Sequence, residues 1–332
     1  PYRLDAAGRD AFGVSISAAW SEWGDTLAAR YSDLDSRLLA LGPITEPEPL
    51  TRGARWAVEP QQSPDGALAY VRADGRSDTR IVLQPATGGG ETGGPRVNGI
   101  ASFDWLSDGR LVVGQLEYED THRVFSDLYL MAPDGASRRL TEGQRLSQPS
   151  AAPDGRWVVA VREGGGTGEL VVVDLATGAV DSLSDPDPRV HWAFPSVSPD
   201  GRHVAVTRWR PGGYHDVVVL EASSGNVVTE VTADRAIDLA PEWSPDGRWI
   251  VWASDRTGIL NVLAAPFDPS AGRVGTPKLL TNVRTGVSFP SVSRDGGTLL
   301  LSVYHAEGWD VASVPFDPEG AAEAPEAAPR FH

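Results

Sequence analysis

The sequence predicts an all-β protein: a six-bladed β-propeller of four-stranded antiparallel blades, closed by an N-terminal strand, with a short helical segment ahead of it. Three observations predict this. A Ser-Pro-Asp-Gly-like turn recurs six times, with its aspartate at Asp65, Asp108, Asp154, Asp200, Asp246 and Asp295, so that successive turns lie 43 to 49 residues apart. Each interval carries four short strand signals, and four strands at this period are the signature of propeller blades. An orphan strand-like piece, Thr45 to Thr51, precedes the first unit, while the last unit ends after its third strand, Val311 to Pro315.

Residues 1–43 read as the tail of an upstream domain. Trp20, Trp23, Leu27, Tyr31, Leu34 and Leu38 follow helical spacing, and Gly42-Pro43 stops the helix. Its apolar face is expected to dock on a neighbouring domain or on the edge of the repeat array. Residues 44–316 are the repeats. In the fourth, Ala193 to Val197 leads into the Ser198–Gly201 turn, followed by His203 to Thr207, Asp216 to Leu220 and Val227 to Val231. Pro49-Leu50-Thr51 matches Leu279-Leu280-Thr281 and Arg139-Leu140-Thr141, the fourth strands of other units. The N-terminal piece should therefore be the outer strand of blade six, which removes a free sheet edge and latches the ring. Residues 317–332, rich in Ala, Pro and Glu, read as linker.

The turn has a mechanism. Proline presets φ, Ser and Asp bond the local backbone, and glycine takes the position of positive φ. The six aspartates are therefore read as structural. Five residues before the turn aspartate stands Pro60, Pro149, Pro195, Pro241 or Pro290, expected at the start of the innermost strand. Trp105, Trp243, Trp249 and Trp252 are expected in the inter-blade core.

Composition excludes several functions. The 332 residues carry a net charge of −16, which suits neither a nucleic-acid phosphate groove nor charge-driven docking on anionic lipid. There is no cysteine, hence no disulfide and no thiolate chemistry. No apolar run reaches membrane-spanning length and no signal peptide is present in the chain. Both ends read as cuts in a longer protein. There is no Gly-x-Ser-x-Gly elbow and no His-Glu-x-x-His. Gly88-Gly89-Gly90 and Gly164-Gly165-Gly166 sit between strands with no helix to follow, so they are not phosphate loops. His191, His215 and His305 could share a metal at the channel mouth only if the fold brings them together. No cofactor is expected.

A propeller has two faces. The repeated turns make one, built nearly verbatim from copy to copy. The connections between blades and the irregular hairpin loops make the other, and loops on a rigid scaffold are where binding concentrates. The candidate binding residues on that face are Arg55, Trp56, Arg145, His191, Trp192 and Asp238 before the inner strands. His122, Tyr214, His215, Arg256, His305 and Trp309 join them from the hairpin loops. The alternative for each is a solvated rim position.

The motifs Pro195-Ser196-Val197-Ser198-Pro199-Asp200-Gly201-Arg202 and Pro241-Glu242-Trp243-Ser244-Pro245-Asp246-Gly247-Arg248, with Ala253-Ser254-Asp255-Arg256-Thr257-Gly258 after them, resemble the TolB-like six-bladed β-propellers. The resemblance covers about residues 44–316. Blade two departs from it at Phe103 and Leu106-Ser107, and blade six at Arg294. It implies a non-catalytic, protein- or peptide-binding scaffold of a bacterial cell-envelope protein, periplasmic in location. The module would be monomeric and would itself insert in no membrane. The alternative is a substrate-gating propeller of a peptidase, of prolyl-oligopeptidase or zinc-metallopeptidase type, whose catalytic domain lies elsewhere. Asp10-Ala11-Phe12-Gly13-Val14-Ser15 with the Trp20/Trp23 helix resembles the end of such a metallopeptidase domain.

Overall fold

The computed structural model describes residues 3–86, 90–99 and 101–330. Gly88 and Gly89 of the first glycine run, and Phe331 and His332 of the tail, lie outside the described residues. The chain divides into two compact units, 1–44 and 45–332.

The first unit is a pair of helices, α1 (Leu4–Phe12) and α2 (Ile16–Leu41). Gly13, left-handed at φ 77°, ends α1. Ser15 caps α2 by accepting from the Ala18 N–H at 3.1 Å, and Asp5 of α1 accepts from both the Ser17 N–H and its hydroxyl. Trp20 and Trp23, 69% and 52% exposed, stand on the surface of this unit. Among the described residues no helix is long and apolar enough to cross a membrane.

The second unit is the propeller. Its innermost strands are Ala57–Gln62, Ser102–Trp105, Leu146–Ala151, His191–Val197, Asp238–Trp243 and Val287–Val292. Each starts a sheet that runs outward in sequence order, except that blade six takes its outermost strand from the N-terminal piece; all strand pairs are antiparallel. In blade one, bridges from Thr92 and Arg96 stand where the other blades have a fourth strand. Glu48 and Pro49 pair with Ser313 and Ala312, so the N-terminal piece completes blade six. Thr51 extends the closure. Its hydroxyl donates to buried Asp310 at 2.7 Å, and the Gly53 and Ala54 N–H groups donate to the same carboxylate.

The core is six wedges, one between each pair of neighbouring blades. Trp105, Trp243, Trp249 and Trp252 are all buried in them, Trp252 completely. Each turn closes as its residues dictate. The N–H of every turn glycine donates back three residues, from Gly66 to Ser63 through to Gly296 to Ser293. All six turn glycines have φ between 67° and 88°, a region that other residues enter at a cost.

The stretch after Phe316, rich in Ala, Pro and Glu, is laid against the ring. The Leu279 N–H donates to Ala322 O, the Ala324 N–H to Pro277 O, and the Arg235 N–H to Ala328 O.

Candidate functional site

The prolines of the inner strands sit within the strands and not at their starts, as their position before the turn suggested. In five blades the ladder slips there: Val58 pairs with Val71 but Gln61 with Ala69, so Glu59 and Pro60 face a single partner residue. The same slip occurs at Pro149, Pro195, Pro241 and Pro290. A bulged residue needs no ladder bond, and proline has no N–H to leave unpaired. The residue before each proline is left-handed: Glu59, Gln148, Phe194, Ala240 and Phe289 have φ of 48° to 56°. Blade two, with Phe103 in place of proline, has neither the slip nor the left-handed residue.

A left-handed non-glycine residue costs about 1–2 kcal/mol, so its neighbours must hold it there. For three of the five they do so from blade to blade. The Phe194 N–H donates to Gln148 Oε1 at 2.6 Å, the Gln148 N–H to Ser102 Oγ at 2.8 Å, and the Glu59 N–H to Ser302 Oγ at 3.2 Å.

The bulge brings the residues before and after each proline to the lining of the central channel, where Ser102 and Asp104 join them from the regular strand of blade two. Two rings result. Toward the loop face stand Glu59, Ser102, Gln148, Phe194, Ala240 and Phe289. Toward the turn face stand Gln61, Asp104, Ser150, Ser196, Glu242 and Ser291. In the first ring Phe194 and Phe289, from blades that are not neighbours, meet edge-to-face with centroids 5.8 Å apart. They leave a cavity of about 100 Å³ at this level.

The acids of the channel are held out of bulk water by the six inner strands. Burial pushes Glu59 up to about 8 and Asp104 up to about 6. Glu242 is pushed up to about 8 by burial and by the charge of Asp104. Asp104 accepts from the Ala151 N–H at 2.7 Å, and Glu242 from the Ser196 hydroxyl at 3.1 Å. Glu59 has burial alone behind its shift. None of the twelve positions in the two rings stood among the residues picked from sequence. Their signal was available: they flank the position that is proline in five blades and Phe103 in blade two, and they differ from blade to blade.

The loop-face candidates divide by burial. Trp56, 37% exposed, stands at the channel mouth and packs against Trp309 (centroids 6.5 Å), which in turn meets exposed Tyr304. The Arg55 carbonyl accepts from the Trp309 N–H. Arg145 lies over the Phe125 ring at 4.0 Å. His191 Nε2 is 3.7 Å from Glu163, and His215 Nδ1 is 3.1 Å from the Gly213 carbonyl. His122 and His305 are exposed on separate hairpins. The Tyr214 ring carries the Arg330 guanidinium at 5.0 Å.

Three candidates belong instead to the frame. Trp192 is buried among the valines between blades three and four. Asp238 is fully buried, accepts from Trp252 Nε1 at 3.0 Å and lies 3.6 Å from Arg256. Arg256 is itself buried and bridges to Asp234. Residue type suggested function there, but depth decides otherwise. Among the described residues no three His, Cys, Asp or Glu side chains come together to hold a metal ion.

The sequence profile of the TolB beta propeller domain matches residues 166–321. The uncharacterized peptidase YuxL of Bacillus subtilis is 25% identical over 210 residues, which are 60% of this chain and 29% of that protein. The chain spans less than a third of the length of the curated relatives it matches. Among solved structures, the putative TolB from Agrobacterium tumefaciens superposes with a TM-score of 0.55 at 18% identity, over 79% of this chain and 91% of that one. A puromycin hydrolase superposes with a TM-score of 0.52 at 17% identity, over 85% of this chain and 56% of that one. At these identities the structural likeness establishes the fold.

Proposed function

We propose that this chain, a six-bladed β-propeller whose residues 166–321 match the TolB beta propeller domain, is a non-catalytic peptide- or protein-binding module of a bacterial cell-envelope protein. Its ligand docks at the loop-face mouth of the channel. One observation carries the reading: the channel narrows at Phe194 and Phe289, beneath a mouth where Trp56, Tyr304 and Trp309 leave aromatic surface in solvent. Large rings on a rigid frame lose little entropy on contact and dominate binding energy where they occur.

The test is selection of displayed peptides on the immobilised chain, followed by titration of the winners. Trp56→Ala and Trp309→Ala are expected to weaken binding at least tenfold, and Asp295→Asn on the turn face to leave it unchanged. Equal binding by all three variants would remove the loop face from consideration. Trp192→Ala is unsuited to this purpose, because its ring packs in the core.

A second reading draws on the relative named as a peptidase. Here the propeller limits access to a catalytic domain elsewhere in the parent protein, and the phenylalanine pair is the constriction. In the parent protein, Phe194→Ala with Phe289→Ala would then raise turnover of long peptides while leaving dipeptide substrates unaffected. No change with either substrate would exclude the gate.

A further inference from the structure

Five blades place an acidic or amide side chain at the same point of their third strand: Asp127, Glu169, Asp216, Asn261 and Asp310. The residue after each donates its N–H to a hydroxyl from the end of the fourth strand, Thr141, Ser184, Thr232, Thr281 or Thr51. The repeat therefore supplies its own control. In blade two Asp127 accepts from the Thr141 hydroxyl and from the N–H groups two and three residues past it, Gly143 and Gln144. In blade six Asp310 is capped in the same way by Thr51, Gly53 and Ala54.

Blades three and four lack this cap: Glu169 accepts instead from Arg162 Nε, and blade four is the one where the chain's own tail intervenes. Asp216 is fully buried, yet its Oδ1 has no hydrogen-bond partner. The N–H three residues past Thr232, that of Arg235, donates at 3.0 Å to the carbonyl of Ala328. Arg330 then donates its guanidinium to Asp216 Oδ2 and lies 5.0 Å over the Tyr214 ring. The tail thus partners both the Asp216 carboxylate and the Arg235 N–H, groups whose counterparts in blades two and six bond each other.

Neutrality does not require this arginine. Arg208 and Arg210 already face Glu230 and Asp216, two cations for two anions. The fit is also incomplete, since Arg330 Nε is buried without a partner. Orphaned polar atoms are costly in a permanent core contact. Upstream of the arginine, the backbone of 322–324 pairs as an added strand on Lys278–Leu279, a mode of recognition open to any extended peptide.

We propose that the groove from the outer edge of blade five to Asp216 of blade four is a recognition site for an extended, arginine-bearing peptide. Asp216 and Tyr214 read the guanidinium, and residues 322–330 are the intramolecular ligand. This site is separate from the channel mouth and does not depend on the function proposed for it. A segment tethered in cis competes at high effective concentration, so an outside peptide binds only when the tether is weakened.

The probe is a fluorescein-labelled peptide, Ala-Glu-Ala-Pro-Glu-Ala-Ala-Pro-Arg, titrated by anisotropy into the full chain. Arg330→Ala is expected to bind it saturably, and the unaltered chain at least tenfold more weakly. The same peptide ending in lysine should bind Arg330→Ala at least tenfold more weakly than the arginine peptide. Adding Asp216→Asn to Arg330→Ala should abolish binding, and Tyr214→Leu replaces that variant should it not fold. Hydrogen exchange at the Leu279 and Ala324 amides should rise at least tenfold in Arg330→Ala. Equal binding to the unaltered chain and Arg330→Ala, indifference to lysine, survival of binding without Asp216 and Tyr214, unchanged exchange, or no binding at 5 mM peptide would each overturn the assignment.

Discussion

The aspartates of the six turns and the acids of the channel are the same chemical group held in opposite ways. In the turns, hydrogen bonds keep the carboxyl below its ordinary range: Ser63 does so for Asp65, the Arg156 N–H for Asp154, and Ser293 for Asp295. For Asp200 and Asp246 partial burial pulls upward, but bonds from Ser198 and Ser244 and from the following arginine prevail. In the channel, burial pushes Glu59, Asp104 and Glu242 up. The difference separates what repeats from what does not. A residue needed in every blade is satisfied within its own turn. A residue present in one blade is left facing the channel, with part of its chemistry unspent.

That contrast can be broken from the frame side or sharpened from the channel side. The largest effect is expected at Gly225, in the outer turn of blade four. An alanine Cβ there would stand 1.9 Å from the Leu183 carbonyl oxygen, at φ 71°. Gly225→Ala should cost on the order of 3 kcal/mol, seen as a lower urea midpoint with unchanged slope. Next comes the aromatic constriction. Phe194→Ala with Phe289→Ala removes one half-buried ring pair and should cost about 2 kcal/mol by the same assay, while leaving the turns intact. Gly296→Ala meets no atom within 4 Å, so only its φ of 73° counts, and the loss should be about 1 kcal/mol.

The smallest and most specific effect is in pH. A turn aspartate with a lowered pKa stabilises the fold above its unfolded value, and that contribution is lost as pH falls through the folded one. Glu242 does the reverse. Between about 4.5 and about 8 the folded chain keeps a proton that the unfolded chain has released, so stability declines as pH rises through this window. Glu242→Gln should lessen that decline in melting temperature, to which Glu59 and Asp104 also contribute, and leave the acid limb below pH 4 unchanged. An unaltered slope would show that the channel acid ionises freely.

Much of this was legible in the residues. The turn period gave the blade count, and the Leu-Thr pairs at 50–51, 140–141 and 280–281 gave the closure, because a hydroxyl at a strand end does the same work wherever it recurs. The proline was legible as a repeated feature but not in its geometry. The left-handed turn before it depends on acceptors from the next blade, Ser102, Gln148 and Ser302, which are distant in sequence. The channel acids escaped notice for the same reason: which way Glu59 points depends on the bulge. Trp192, Asp238 and Arg256 drew attention by type, and only their depth assigns them to the frame. The guanidinium pocket was not readable, since its clue is a missing cap at Asp216 that appears only when blades are compared in space.

The bond from Thr51 to Asp310 joins residues 259 apart. Closing so long a loop is an entropic obstacle that is overcome late, after the intervening blades have taken shape. A chain emerging from the ribosome carries residues 48–54 first and must keep them unpaired until blade six is made. In that interval the outer edge of every finished blade is exposed, and pairing with the wrong edge is the error to be avoided. The brevity of the closing strand, Glu48–Pro49 with a proline in it, makes it a poor partner for any edge that does not also offer the Asp310 carboxylate.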